Sequence, residues 1–72
     1  MPLAMMKIGE KARVLNIMGT DTVKKHLGSL GVVPGVVISV IQITAGSMIV
    51  GIHDSRLALN EDLARRVMVE AA

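Results

Sequence analysis

The chain contains no phenylalanine, tyrosine, tryptophan or cysteine, and this gap constrains the fold more than any motif does. At 72 residues we expect one domain with a thin core, since a domain of about this size buries only roughly 60% of its unfolded surface. Without cysteine, neither a disulfide nor a thiolate zinc site can stabilise that core. Because 51% of the residues are apolar, the interior must be built from aliphatic and methionine side chains, which favours packed strands.

The same gap excludes two binding functions that small basic β-domains often have. Platforms that stack single-stranded nucleic acid and grooves that hold polyproline helices both require aromatic faces. The net charge of +2 is small and its basic residues are dispersed, so attraction to phosphate groups is weak. A small nucleic-acid-binding barrel is therefore the least favoured alternative, and we expect no nucleic acid partner.

No segment approaches the ~18 apolar residues that span a bilayer. The apolar opening, residues 1–6, is too short for a secretory core and has no basic leader. These features predict a cytoplasmic protein without direct membrane insertion.

The apolar pattern predicts five short strands, marked by alternation or by dense β-branched residues. The predicted strands cover residues 11–17, 36–43, 48–53, 56–59 and 67–69. Asn60 can cap a helical turn, ending at Ala64, before the last strand. Five strands of this length are too few for a sandwich, and closure into a barrel removes most unpaired edges. We therefore predict a mainly β fold, a small five-stranded barrel.

The segment between the first two strands carries signals for a short α-helix and a turn. Thr20 or Asp21 can accept hydrogen bonds from the N–H groups that open the helix. Gly31 stands where a left-handed C-terminal cap is expected. Pro34–Gly35 predicts a tight type II turn, because proline fixes the first central position and glycine accepts the positive φ of the second.

The string Leu30–Gly35, Leu-Gly-Val-Val-Pro-Gly, closely resembles the Leu-Gly-aliphatic-x-Pro-Gly signature of the FeoA family. The similarity extends in the correct order over nearly the whole chain. Further matching positions are Leu3, Gly9, Val14, Ile17, Gly19, Ile38, Val40, Leu57, Ala58, Leu59, Ala64, Val67 and Val69. Met48 and Asn60 depart from the pattern, since the family often has a proline and a basic residue there.

The resemblance implies that residues 1–72 are a single FeoA-type domain with an SH3-like barrel. It also implies a stand-alone cytoplasmic protein that works with the membrane GTPase transporter FeoB in ferrous iron uptake. The same fold occurs as a carboxyl-terminal domain in iron-dependent repressors of the diphtheria toxin repressor type. Since this chain has no DNA-binding portion, the stand-alone role is preferred, with FeoB as the expected partner.

The two histidines are the first residues to test for metal binding. His53 ends a predicted strand beside Asp54, and neighbouring strand residues point to opposite faces, so these two would not share a site. His26 lies on the predicted helix, and the spacing matches no metal motif. We expect no required cofactor. The alternative is a weak or dimer-bridging Fe(II) or Zn(II) site that uses His26, His53 or Asp54, which would make the chain a metal-responsive module.

No arrangement of residues predicts an enzyme. A nucleophile would have to be a serine or threonine, and no serine lies in a nucleophile-elbow context or in a visible triad. No Gly-Lys-Ser/Thr follows the glycines at the offset of a phosphate loop. We expect any GTP chemistry to belong to the partner.

Two surfaces are candidates for partner binding. A basic surface is predicted from Lys24, Lys25, His26, Arg56, Arg65 and Arg66, and an ordinary solvated face explains these charges equally well. The apolar excess is more informative, because so small a domain cannot bury all its aliphatic side chains. We expect an exposed patch of Met6, Val33 and Met48, which suits a protein interface or a homo-oligomer. The predicted partner-binding residues are Lys24, Lys25, His26, Val33, Met48 and Arg56.

Overall fold

The computed structural model describes residues 1–72 and contains five strands and two α-helices. Along the chain, a 3-10 turn at Leu3–Met5 is followed by β1 Lys11–Ile17, α1 Asp21–Ser29, β2 Val37–Thr44, β3 Ser47–Ile52, β4 Ser55–Asn60, α2 Glu61–Arg66 and β5 Val67–Ala71. The strands form one antiparallel sheet in the order β4-β3-β2-β1-β5. The predicted five strands, the helix between the first two and the helical turn before the last are confirmed. Neither helix is long and apolar enough to cross a membrane.

Two β-bulges curl this sheet into a barrel. The pairing of β1 with β5 shifts between Val14 and Asn16, and the pairing of β2 with β3 shifts between Val40 and Gln42. An extra residue bends its strand and increases the local twist. The edge strands β4 and β5 do not pair with each other, so the barrel is partly open.

The core contains aliphatic and methionine side chains, as the composition predicted. Alternation along β3 places Met48, Val50 and Ile52 inside. The other members of the core cluster are Leu3, Met6, Ala12, Val14, Leu27, Val32, Ile38, Val40, Leu59, Val67 and Val69. No polar or charged residue is buried. Apolar packing therefore fills the interior, and the polar chemistry of the chain lies on its surface.

A Schellman motif ends α1 and anchors the helix to the core. The Gly31 N–H donates to the Gly28 carbonyl and the Val32 N–H donates to the Leu27 carbonyl, both at 3.0 Å. Gly31 has a φ of 93°, which glycine adopts without a steric penalty. Leu27 and Val32 are both fully buried. The predicted glycine cap is confirmed.

The Pro34–Gly35 turn is held against β1. The Val36 N–H donates to the Val33 carbonyl at 3.2 Å across the turn, and Gly35 has the predicted positive φ, at 94°. Two further bonds bind the turn to Val14, whose carbonyl accepts from Gly35 at 2.8 Å and whose N–H donates to Val36 at 2.9 Å. The turn therefore sets where β2 begins relative to β1.

The predicted boundaries of β2, β3 and β4 are each wrong by one residue at both ends, and the predicted ends of β5 and α2 fall two residues short. The third strand ends at Ile52, and His53 lies with Asp54 in the two-residue turn between β3 and β4. β5 continues to Ala71 because its last residues pair with β1, where Ala71 lies opposite Ala12. α2 continues past Ala64 to Arg66. Pairing between distant segments fixes the ends of these strands, and the local pattern does not contain it.

Candidate partner-binding groove

A surface groove of about 240 Å³ lies between α1, the end of β1 and the Pro34–Gly35 turn. We call it the α1–β1 groove, and its lining residues are Asn16, Ile17, Lys24, Gly28, Val32, Val33 and Pro34. The Schellman motif and the turn described above fix the wall that contains Val32 to Pro34. The groove is therefore supported by rigid backbone on at least one side.

The segments that form the groove also expose large apolar side chains. Leu15 and Met18 at the end of β1, Leu30 at the end of α1, and Val33 before the turn are between 39% and 53% exposed. Leu15 lies at the β1 bulge, where the alternation of inward and outward side chains is interrupted. Contiguous exposed apolar patches on small domains often mark interaction sites, and of these four residues Val33 lines the groove itself.

Lys24 supplies the positive charge of the groove. The chain forms three ion pairs, and Lys24 and Lys25 take part in none of them. Gly28, one turn along α1 from Lys24, has no side chain, and a Cβ built there would lie 4.0 Å from Val33 Cγ1. The missing side chain at Gly28 leaves one side of Val33 accessible next to the unpaired ammonium group of Lys24.

The basic surface predicted from sequence is divided in the structure. Arg65 pairs with Glu61 at 2.5 Å and Arg66 with Asp62 at 3.5 Å, so both arginines have an acidic partner within α2. Arg56 is on β4, where it lines a separate depression on the outside of the sheet. Lys24, Lys25 and His26 remain together as exposed residues of α1.

The predicted exposed patch of Met6, Val33 and Met48 is wrong for its two methionines. Met48 is only 4% exposed, because the alternation of β3 turns it inward, and Met6 is only 3% exposed. Val33 is 40% exposed, and the structure places it beside Lys24 in the groove. Of the predicted partner-binding residues, only Lys24 and Val33 line a common groove.

The candidate metal residues do not form a complete ligand set. No group of three or more His, Cys, Asp or Glu side chains is placed to hold a metal ion. His53 and Asp54 line the same depression because they lie in a turn, so the expectation that they would face opposite ways is wrong. His26 lies on α1, outside that depression. Two neighbouring ligands from one chain do not fit a metal ion without donors from a second molecule.

Five residues line the groove but were not predicted to bind a partner: Asn16, Ile17, Gly28, Val32 and Pro34. The sequence contained one signal for the first two, because the polar–apolar alternation of β1 fails where apolar Leu15 directly follows Val14. Pro34 was identified only as a turn residue. Its exposure beside Lys24 depends on how α1 packs against β1, which no local pattern encodes.

The curled five-stranded sheet and its surface groove define a small domain of the SH3-like class. The family model described as FeoA domain matches residues 1–71, and the chain belongs to the FeoA family. No curated protein matches the chain by sequence.

Solved structures agree with this assignment. An iron uptake regulatory protein (FeoA) is 37% identical, with a TM-score of 0.91 over 99% of this chain and 95% of the other. The zinc complex of Stenotrophomonas maltophilia FeoA, described as a procaryotic SH3 domain protein, is 24% identical, with a TM-score of 0.83 over 97% and 89%. A manganese-dependent transcriptional repressor shares the fold alone, at 19% identity and a TM-score of 0.91 over 100% of this chain and 41% of the repressor.

Proposed function

We propose that the chain is a non-enzymatic, cytoplasmic accessory protein of bacterial ferrous iron uptake. It docks on the membrane GTPase transporter FeoB through the α1–β1 groove and modulates transport. The observation that carries the proposal is the combination of an accessible Val33 and an unpaired Lys24 in one groove.

The chemistry of the groove supports a protein ligand. Its apolar lining provides area to bury, and Lys24 at its wall selects a partner with an acidic group near an apolar side chain. A short linear segment or a helix edge on the cytoplasmic portion of FeoB has the right size for such a groove. Family membership supplies the link to iron uptake, since the relative at 37% identity is described as an iron uptake regulatory protein.

Binding of the purified chain to the cytoplasmic portion of FeoB tests the proposal. Isothermal calorimetry or biolayer interferometry is expected to give saturable binding that Val33→Glu weakens at least about tenfold, because the new carboxylate would be desolvated in the interface. Lys24→Glu is expected to slow association, most strongly at low salt. Absence of binding by the unmodified chain would refute docking on this transporter.

Matched controls separate the groove from general surface effects. Ile43→Glu is the control for Val33→Glu, because Ile43 is an equally exposed aliphatic residue, at 44% against 40%, and lines a different cleft. Lys7→Glu makes the same charge change as Lys24→Glu at another exposed lysine outside the groove. Equal losses from groove and control variants would mean that binding uses net charge or another face.

A divalent-metal-dependent dimer is a second candidate function. It is favoured by one observation, the zinc complex of a protein with the same fold. In this chain the donors would be His26 on one molecule and the His53–Asp54 turn on another, because no single chain groups three ligands.

Anaerobic titration with Fe(II) and with Zn(II), followed by sedimentation, tests this second function. A sensor is expected to bind a stoichiometric amount of metal and to dimerise with it, and His26→Ala or His53→Ala abolishes both. Metal uptake with no change in sedimentation would contradict a metal-dependent dimer.

A further inference from the structure

The outer edge of β4 is unpaired. Val40 exchanges hydrogen bonds with Gly9 and Glu10, so its backbone groups face β1, and those of Val50 opposite it face β4. Val50 pairs with Leu57. Since backbone direction alternates along an antiparallel strand, the N–H and C=O groups of Arg56 and Ala58 point away from the sheet. Neither residue takes part in any backbone hydrogen bond outside the helices and strands.

The opposite edge of the sheet is covered. The backbone groups of Val69 point outward from β5, although its side chain is in the core. Its N–H donates to the Met1 carbonyl at 2.7 Å, and its carbonyl accepts from the Met1 amino group at 2.9 Å. A further bridge joins Pro2 to Met68. Of the two edge strands, only β4 therefore presents free backbone groups along a regular strand.

β4 has few of the features that normally protect an edge. It has no proline and no bulge, and its pairing with β3 is regular from Ser55 to Asn60. Arg56 is its single charged residue, and the outward-facing positions continue with Ala58 and Asn60. Such an edge is a template for pairing with another strand.

We propose that β4 pairs antiparallel with β4 of a second copy of the chain, across a twofold axis at Ala58, which joins the two sheets. Ala58 then faces Ala58 of the partner subunit, and Arg56 faces the uncharged Asn60 of the partner subunit. The small side chain at the axis allows close approach. The same strand serves as both partners, as a twofold interface requires.

Charge selects this register over its neighbours. With a rise of about 3.4 Å per residue, the two Arg56 residues lie roughly 14 Å apart, beyond the Debye length of about 8 Å at physiological ionic strength. A twofold axis at Arg56 would place the two Arg56 residues directly opposite each other. A twofold axis at Leu57 would halve the separation of roughly 14 Å between them. After Asn60 the chain enters α2, whose two acidic residues are paired with its own arginines.

The dimer is weak and depends on concentration. Pairing at one six-residue edge buries less than the roughly 1,200 Å² of standard specific interfaces. This inference is independent of the proposed function, because no residue of β4 lines the α1–β1 groove. Failure of either proposal leaves the other unaffected.

Single-cysteine variants test the register, since the chain has no cysteine of its own. In Ala58→Cys the paired Cα atoms would lie about 5.5 Å apart, within disulfide range, whereas in Arg56→Cys they would lie about 14 Å apart. Under mild oxidation, Ala58→Cys is expected to form covalent dimer at least about tenfold faster than Arg56→Cys or the control Gln42→Cys, an exposed β2 position away from the edge. Equal rates for the three variants would overturn the proposal.

Sedimentation of the chain without cysteines gives a second measurement. The unmodified chain is expected to shift from monomer towards dimer as its concentration rises to the millimolar range, and Ala58→Pro is expected to remove the shift. Proline is tolerated where an edge N–H faces solvent, so this variant keeps the fold, which circular dichroism verifies. A purely monomeric unmodified chain would overturn self-pairing and leave the edge to an extended segment of another protein.

Discussion

The connection into β2 and the turn after β3 both contain left-handed backbone, yet only the first has residues suited to it. Gly31 and Gly35 adopt φ values of 93° and 94°, whereas His53 adopts a φ of 54° that non-glycine residues rarely take. The first connection packs buried Val32 into the core, while His53 and Asp54 are exposed. The first connection is therefore built for stability, whereas the second keeps a strained residue where it contributes no core packing.

The location of that strain is informative. His53 lies in the two-residue turn that leads into β4, the strand with the free edge, and it lines the same depression as Arg56. A two-residue hairpin turn requires a positive φ, so the geometry of the turn accounts for the backbone of His53. The two connections thus separate a structural region, on which the α1–β1 groove rests, from a surface region beside the proposed dimer edge.

The largest loss of stability is expected for Leu27→Ala, which removes the fully buried side chain beneath the Schellman motif. We expect a loss of about 2–5 kcal/mol in the free energy of unfolding, measured by urea denaturation. The control is Leu30→Ala, on the same helix end but 39% exposed, which should cost less than about 1 kcal/mol. Similar losses for the two variants would mean that the motif does not anchor α1.

Gly35→Ala tests whether the Pro34–Gly35 turn requires glycine for its backbone alone. Nothing lies within 4 Å of a Cβ built at Gly35, so the expected loss of about 1–2 kcal/mol comes from the positive φ and not from a clash. Gly35→Asn should lose less, since asparagine tolerates left-handed backbone better. If alanine were harmless in denaturant melts, the contrast with His53 would disappear.

His53→Asn is expected to act in the opposite direction. Asparagine suits a positive φ in a two-residue hairpin turn, so the variant should gain roughly 0.5–1 kcal/mol of stability. His53→Ala keeps the strained backbone and is the matched control, for which thermal melts should change little. A stabilised alanine variant would assign the cost to the imidazole and not to the backbone.

The smallest expected effect is that of Val33→Glu on stability. Val33 is 40% exposed in an otherwise well-packed connection, so the variant should stay within about 0.5 kcal/mol of the unmodified chain in the same melts. That result would identify Val33 as a residue of the stable region that is available for binding. A large loss of stability would mean that Val33 supports the fold, and the binding result for this variant would then not report on the groove.

Much of the fold could be predicted from the sequence because its signals are local. The Gly31 cap, the Pro34–Gly35 turn and the Asn60 cap act within a few residues, and the structure contains all three, with Asn60 Oδ1 accepting from the Leu63 N–H at 2.8 Å. The end of β3 was misplaced because His53 continues the strand pattern but lies in the turn that pairs Ile52 with Ser55.

The candidate sites were less predictable. Met48 carried the same apolar signal as Val33, yet one is buried in the barrel and the other lines the groove. Arg65 resembles Lys24 as an isolated positive charge, yet it has an acidic partner in Glu61. Exposure and ion pairing depend on which segments meet, and composition alone contains neither.

The sequence by itself determined the aliphatic barrel, the FeoA family and the turns that divide its strands, because backbone preferences and apolar alternation act between near neighbours. The tertiary structure alone decided that Lys24 and Val33 share a groove and that β4 keeps a free edge. The shared groove follows from how α1 packs beside the end of β1, and the free edge follows from the strand order and register, which arise only when residues far apart in the chain pair.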